Sequence, residues 1–352
     1  MTARVIRIAV IGGSGVGPEV VTEAVKVLRA AAGRPAGTAA AEAAADPVTI
    51  ETTEFDLGHR AWPRARKPPP AETVEEIAGH DAILLGTLGD PPGPAAGSGR
   101  GPLRQLQAAL DQCVTIRPVR LFPGAVSPIA DLRPESVDME VLRATIPGSP
   151  GEDRLIRYAL QRAAQRPGRR LALVHAAVPG AGAGAGAGAA VPGPEAAGWP
   201  WRQAAEPLLA GSPEVTAEFL PVDFAAMYLV TEPERFDVVV NDAAVGDTMS
   251  LLGAAITGGI RLAAGASVNP DGTTPGMFGP VHGSAQRIAG QQKADPTAAI
   301  LAAGMLCAHL GLGAQAARID QAVVADLLER QGAWQARATG EVGDDIAERA
   351  AG

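Results

Sequence analysis

The stretch "IAVIGGSGVGPEVVTEAVKVL", residues 8–28, sets the architecture. Ile8 to Ile11 read as a buried strand, and Gly12, Gly13 and Gly15 relieve the steric limits of a tight turn. Pro18 suits the opening of a helix, with Glu19 behind it and an apolar stripe after that. Strand, turn and helix in this order make an α/β unit whose helix N-terminus can attract an anion. The glycine spacing is neither the dinucleotide fingerprint nor a Walker loop, whose lysine is absent, so nucleotide contact stays an open question at this point.

The chain has 352 residues, of which 47% are hydrophobic, enough to bury a large core in two domains. A formal charge of −8 without a dense Lys/Arg run argues against nucleic acid or anionic membrane as main partners and leaves small molecules. A strand follows soon after Met1, and no run of about 20 apolar residues is free of glycine or charge, so a cytoplasmic protein is expected. Cys113 and Cys307 lie far apart with no Cys/His spacing around them, which predicts two buried apolar side chains and neither disulfide nor zinc site.

Strand-like runs "RVIRIAVI", "DAILLG", "VTIRPVRLF", "RLALVH", "EFLPVDF" and "FDVVV" alternate with amphipathic segments. This is an α/β pattern. Two stretches break it: the alanine-rich residues 30–47, and residues 179–198, "PGAGAGAGAGAAVPGPEAAG", which read as a mobile surface loop dispensable for folding. "DPTAAILAAGMLCAHLG" and "RIDQAVVADLLERQGAW" have helical periodicity, the first opened by Asp295 as cap with Pro296 behind it.

Four stretches carry chemistry: "GGSGVGPEV", "TIRPVRLFPG", "FDVVVNDAAVGDTMSLLGAAITGG" and "GMFGPVHGSAQRIAGQQKADPTAAIL". In order and spacing they resemble the β-decarboxylating dehydrogenases, the isopropylmalate and isocitrate dehydrogenase family. The resemblance implies an α/β fold in two domains with a cleft between them. Residues 1–112 and 258–352 would form the larger domain from both chain ends, and residues 113–257 a central insertion that also makes a homodimer interface. It further implies oxidation of a 2-hydroxy acid by NAD or NADP with Mg or Mn, followed by loss of CO2.

Residue by residue, the match is uneven. Arg117 and Arg143 match two arginines that clamp substrate carboxylates in the family, a role that suits planar guanidinium forks, although each could equally be a solvated surface side chain. The third arginine position is Gln107, which can hydrogen-bond substrate but cannot neutralise a carboxylate. Asp223 and Asp247 match catalytic, metal-binding aspartates, with a helix cap as the plainer reading of Asp247. The family's next metal ligand, four residues on, is Leu251, so metal affinity is expected to fall. Ala176 stands at the lysine that takes the hydroxyl proton, Val178 at the usual asparagine, and Pro150 at the tyrosine that protonates the enol. Losing one such group reduces a rate by about two to four orders of magnitude. His175 is the one candidate substitute base.

The cofactor positions are also mixed. His282, Gly283, Ser284 and Ala285 match the loop that meets the adenosine part, the turn at Gly13, Ser14 and Gly15 lies beside it, and Asp295 joins the same candidate set. Ser14 replaces an aspartate, Gly279 a glutamate, and Arg287 the acidic residue that holds the ribose diol. A cation at 287 favours the 2′-phosphate of NADP over NAD, or fits no dinucleotide at all. The replacements together predict that oxidative decarboxylation is lost and the fold repurposed, for a non-redox reaction on a small organic metabolite or for binding one. The alternative is an active NAD(P)- and metal-dependent decarboxylase with an unrecognised base.

Overall fold

The computed structural model describes residues 4–33, 48–58, 69–88, 101–145, 152–176, 200–242, 245–330 and 337–352. Pro150, Val178 and the stretch 179–198 lie outside them. In chain order the strands are β1 (Arg4–Gly13), β2 (Val48–Glu54), β3 (Ala82–Thr87), β4 (Val114–Arg120), β5 (Asp138–Ala144), β6 (Arg170–His175), β7 (Thr216–Pro221), β8 (Val238–Asn241), β9 (Ala264–Val268) and β10 (Gly276–Pro280). The helices are α1 (Gly17–Ala32), α2 (Ala71–Ala78), α3 (Gly101–Ala109), α4 (Glu152–Ala164), α5 (Pro200–Ala210), α6 (Val222–Thr231), α7 (Thr248–Ile256), α8 (Thr297–His309), α9 (Gly313–Arg330) and α10 (Thr339–Ala351). The fold is α/β.

The chain divides into two compact units: Met1–Gln112, Phe122–Val126 and Gly258–Gly352 make the first, Cys113–Leu121 and Ser127–Thr257 the second. In the first the strand order is β2-β1-β3-β10-β9, parallel except for β10 against β9. Its central strands are apolar on both faces because helices cover both. Ala9, Ile11, Ile83, Leu85 and Met277 pack on Ile77 of α2 and Leu106 of α3. Alternation turns Ile8, Val10, Leu84 and Phe278 the other way, and these too are buried, on the side of α1 and α8. Helix α8 is buried nearly all round, Cys307 included, as a core helix should be.

In the second unit the order is β4-β5-β8-β6-β7, with β4 antiparallel to β5 and the rest parallel. The C-terminal ends of β5, β8, β6 and β7 therefore share one edge, which carries Arg143, Asn241, His175 and Pro221. Open parallel sheets bind ligands at this edge.

Several boundaries differ from the sequence reading. The run "EFLPVDF" is strand only to Pro221, and Val222 already opens α6. Helix α1 runs to Ala32, so the alanine-rich break starts at Gly33 and not at residue 30, alanine being the best helix former. Pro296, not Asp295, is the residue directly ahead of α8, and Asp295 caps it from one position further back. Cys113 and Cys307 are both free and buried.

Candidate functional site

The glycine turn is built against the protein's own backbone. Ser14 N–H donates to Thr87 O at 2.6 Å, Thr87 Oγ1 donates to Ser14 O at 2.6 Å, and Val16 N–H donates to Ser284 O at 2.9 Å. Gly13 and Gly15 have φ of 78° and 65°, and a Cβ there would collide with the carbonyl oxygens of Thr87 and Ser284 respectively. Both glycines are thus required by internal packing and left-handed backbone, without a ligand. Glu19 accepts from the N–H groups of Gly290 and Gln292, which ties the 282–292 loop to α1. Beside this assembly opens a groove of about 1130 Å³, lined by Gly13, Ser14, Gly15, Thr22, Asp56 and Gln286 among others.

The loop itself carries unmatched polar groups. His282 Nδ1 lies 3.1 Å from Gly283 O, while its Nε2 is buried without a partner, as is Gln286 Nε2. Burial holds the His282 imidazole below its ordinary value of 6.5. Gly283 is exposed, Ala285 takes a left-handed φ of 38°, and the Arg287 guanidinium is exposed with no partner among the described residues, while its carbonyl accepts from Gln291 Nε2. Asp295 faces inward: its carboxylate accepts from Thr297 N–H and Oγ1 and pairs with Arg330 at 3.2 Å. The donors at 286 and 287 fit an anionic group, such as a 2′-phosphate, better than the diol a carboxylate would hold. Gln107, also in this unit, is buried and donates from Nε2 to Ser267 Oγ at 2.9 Å.

In the second unit Arg117 and Arg143 stand on one face of adjacent strands, since Arg117 pairs with Val141 and Arg143 is two residues on. Arg143 grips Asp247 as a fork, Nε to Oδ1 at 2.6 Å and Nη2 to Oδ2 at 3.3 Å, and gives Nη1 to Ala144 O. Arg117 has no partner among the described residues, and its Nε is buried. Burial pushes its guanidinium down to about 10; nearby Asp247 opposes the shift and Arg143 adds to it.

Asp247 precedes α7 at the cap position, yet its side chain caps nothing; it is held by Arg143 instead. Leu251, one turn on, is 48% exposed and supplies no ligand atom. Asp223 is exposed at the start of α6, its Oδ1 accepting from Phe224 N–H at 3.0 Å. Among the described residues of this one chain no three His, Cys, Asp or Glu side chains gather, and with Leu251 at the next ligand position Asp247 has no second oxygen one turn on, a poorer donor set for the divalent cation the resemblance implied. At the edge of the sheet His175 Nδ1 lies 2.9 Å from Ala176 O, and Asp242 Oδ2 accepts from Ala176 N–H. Sequence reasoning passed over Asp242, whose Oδ1 also accepts from Val245 N–H, and over Thr87, and read Glu19 only as part of the turn and helix opening. The place of Asp242 directly after the apolar run "FDVVVN" was the available signal.

The model of the isocitrate/isopropylmalate dehydrogenase family matches residues 7–149 and 195–344. The chain belongs to this family. It is 42% identical to the 3-isopropylmalate dehydrogenase of Thermobifida fusca, over 100% of this chain and 99% of that one, and 43% identical to that of Beutenbergia cavernae, over 99% of each. Among solved structures, the isocitrate dehydrogenase of Methylococcus capsulatus is similar with a TM-score of 0.78 and 25% identity, covering 99% of this chain and all of that one. Family membership explains the four-motif order and the paired arginines. Among the described residues, no helix is long and apolar enough to cross a membrane.

Proposed function

We propose that this isopropylmalate/isocitrate dehydrogenase-like chain has left metal-dependent oxidative decarboxylation and binds a small organic acid, or acts on one without redox chemistry. The observation that carries this reading is the Arg143–Asp247 fork. It draws the one aspartate with a family metal role in this cluster onto a guanidinium, while Leu251 leaves the next ligand position empty of oxygen. Proton transfer is missing as well, because neither Ala176 nor Pro150 has a titratable side chain.

NADP, when bound, would supply a hydride acceptor, and Arg287 and Gln286 are the residues that would hold its phosphorylated end. What this chain's own groups do is bind: Arg117 offers an unpaired guanidinium to a carboxylate, and Arg143 orients Asp247 beside it. In this reading the working assembly is a two-fold homodimer acting in the cytoplasm. The second reading, an active dehydrogenase, draws on the 42% identity to a 3-isopropylmalate dehydrogenase over the whole chain. The deciding assay follows nicotinamide reduction by the purified protein with 3-isopropylmalate or isocitrate, NAD or NADP, and Mg or Mn. No turnover is expected; a rate above about one per second, ordinary for an enzyme, establishes the second reading.

A further inference from the structure

We infer that the second unit takes a singly charged carboxylate without a metal ion, where a 3-isopropylmalate dehydrogenase acts on a dicarboxylate. This inference rests on the functional reading above and gives it a ligand class. It starts from a charge count. Arg143 and Asp247 cancel each other through a two-point fork, which leaves Arg117 as the uncompensated charge of the cluster. The charged groups that act on Arg117 are Asp247 and Arg143. The stretches of this unit outside the described residues, 146–151, 177–199 and 243–244, contain Glu195 as their one charged residue. The cluster of Arg117, Arg143 and Asp247 therefore carries the net charge of one cation.

A dianion meets this site badly. Its first carboxylate can pair with Arg117, but its second must either lie against Asp247 or displace Asp247 from Arg143, and an aspartate cast off in this way has Leu251 and no oxygen ligand beside it one turn on. A monoanion needs only Arg117, whose buried Nε is left without an acceptor by the protein itself. Leu251, exposed one turn along α7 from Asp247, adds apolar surface on the same helix face and favours an alkyl substituent.

Calorimetry on the full chain in EDTA tests this, with monocarboxylates from acetate to 4-methylpentanoate set against 3-isopropylmalate. The wild type is expected to bind a monocarboxylate more tightly than 3-isopropylmalate, with no gain when Mn replaces EDTA. Arg117→Gln should weaken that binding about ten- to a hundredfold, the usual worth of a hydrogen bond to a charged group. Asp247→Asn frees Arg143 and should raise the affinity for 3-isopropylmalate in EDTA, whereas loss of a metal ligand would lower it. Failure of every monocarboxylate to bind overturns the inference, and so does 3-isopropylmalate binding that needs Mn. The wild-type comparison stands even where a variant fails to fold. Nicotinamide reduction by the wild type would instead overturn the functional reading, so the two failures are separable.

Discussion

Gly15 faces Ser284 so closely that no side chain fits between them, and its backbone is left-handed. Gly15→Ala should therefore destabilise the chain by about 1–3 kcal/mol through strain and displaced backbone, read as a lower urea midpoint. Glycine at this turn was legible in the sequence, but its purpose was not, because the partner oxygen comes from a loop about 270 residues away. The same holds for Arg143 and Asp247: each was legible as a charged group, yet their pairing spans 104 residues from β5 to the start of α7. Replacements such as Ala176 and Leu251 needed no structure, since a side chain without a donor or acceptor is silent wherever it points. His282 gives a pH prediction. Burial depresses its folded-state pKa below 6.5, so below that pH the unfolded chain takes up a proton that the folded chain resists. Stability present above pH 6.5 should be lost as the pH falls through the folded value, and His282→Gln should flatten that slope in denaturant titrations across the acid range.

At the scale of elements, strands were read where apolar residues run together and missed where they do not. β2, "VTIETTE", alternates threonine and glutamate with exposed positions, and β9, "AGASV", is made of small residues that bury little area each. β5, "DMEVLRA", is interrupted by charge because Glu140 and Arg143 both serve ion pairs, with Arg162 and Asp247. The pairing that joins α9 to the chain end is hidden in the same way. Asp326 on α9, 1% exposed, holds Arg330 of its own helix and Arg337 ahead of α10. Asp326→Asn removes one of the two carboxylates held by each guanidinium, leaving Asp295 to Arg330 and Asp345 to Arg337, and should reduce stability by about 1–3 kcal/mol in chemical denaturation. Helix α8 supplies a test by labelling: burial pushes the Cys307 thiol up to about 12, so the native protein should resist a thiol reagent at pH 8 and both cysteines should react on unfolding. Rapid native labelling of Cys307 would show that α8 is not the core helix described.

For the whole molecule, the family was legible from four motifs in order, whereas each unit's sheet order required the register of strands distant in sequence. The proposed loss of oxidative decarboxylation also belongs to the whole. Ala176→Lys with Leu251→Asp should not restore dehydrogenase turnover unless Gln107→Arg and Pro150→Tyr are added, because groups that act together are not rescued singly. Assembly belongs to this scale as well. Helix α6 exposes Met227 at 47% and Val230 at 38%, apolar surface on the helix that carries Asp223. An isologous pairing of two chains through α6 would cover it, and in such a pairing each substitution acts twice. Light scattering at micromolar concentration should give the mass of two chains, and Met227→Lys with Val230→Glu should reduce it to one while leaving the circular dichroism of the fold in place. The mass of a single chain for the unmodified protein would refute the dimer and leave the apolar face of α6 without an account.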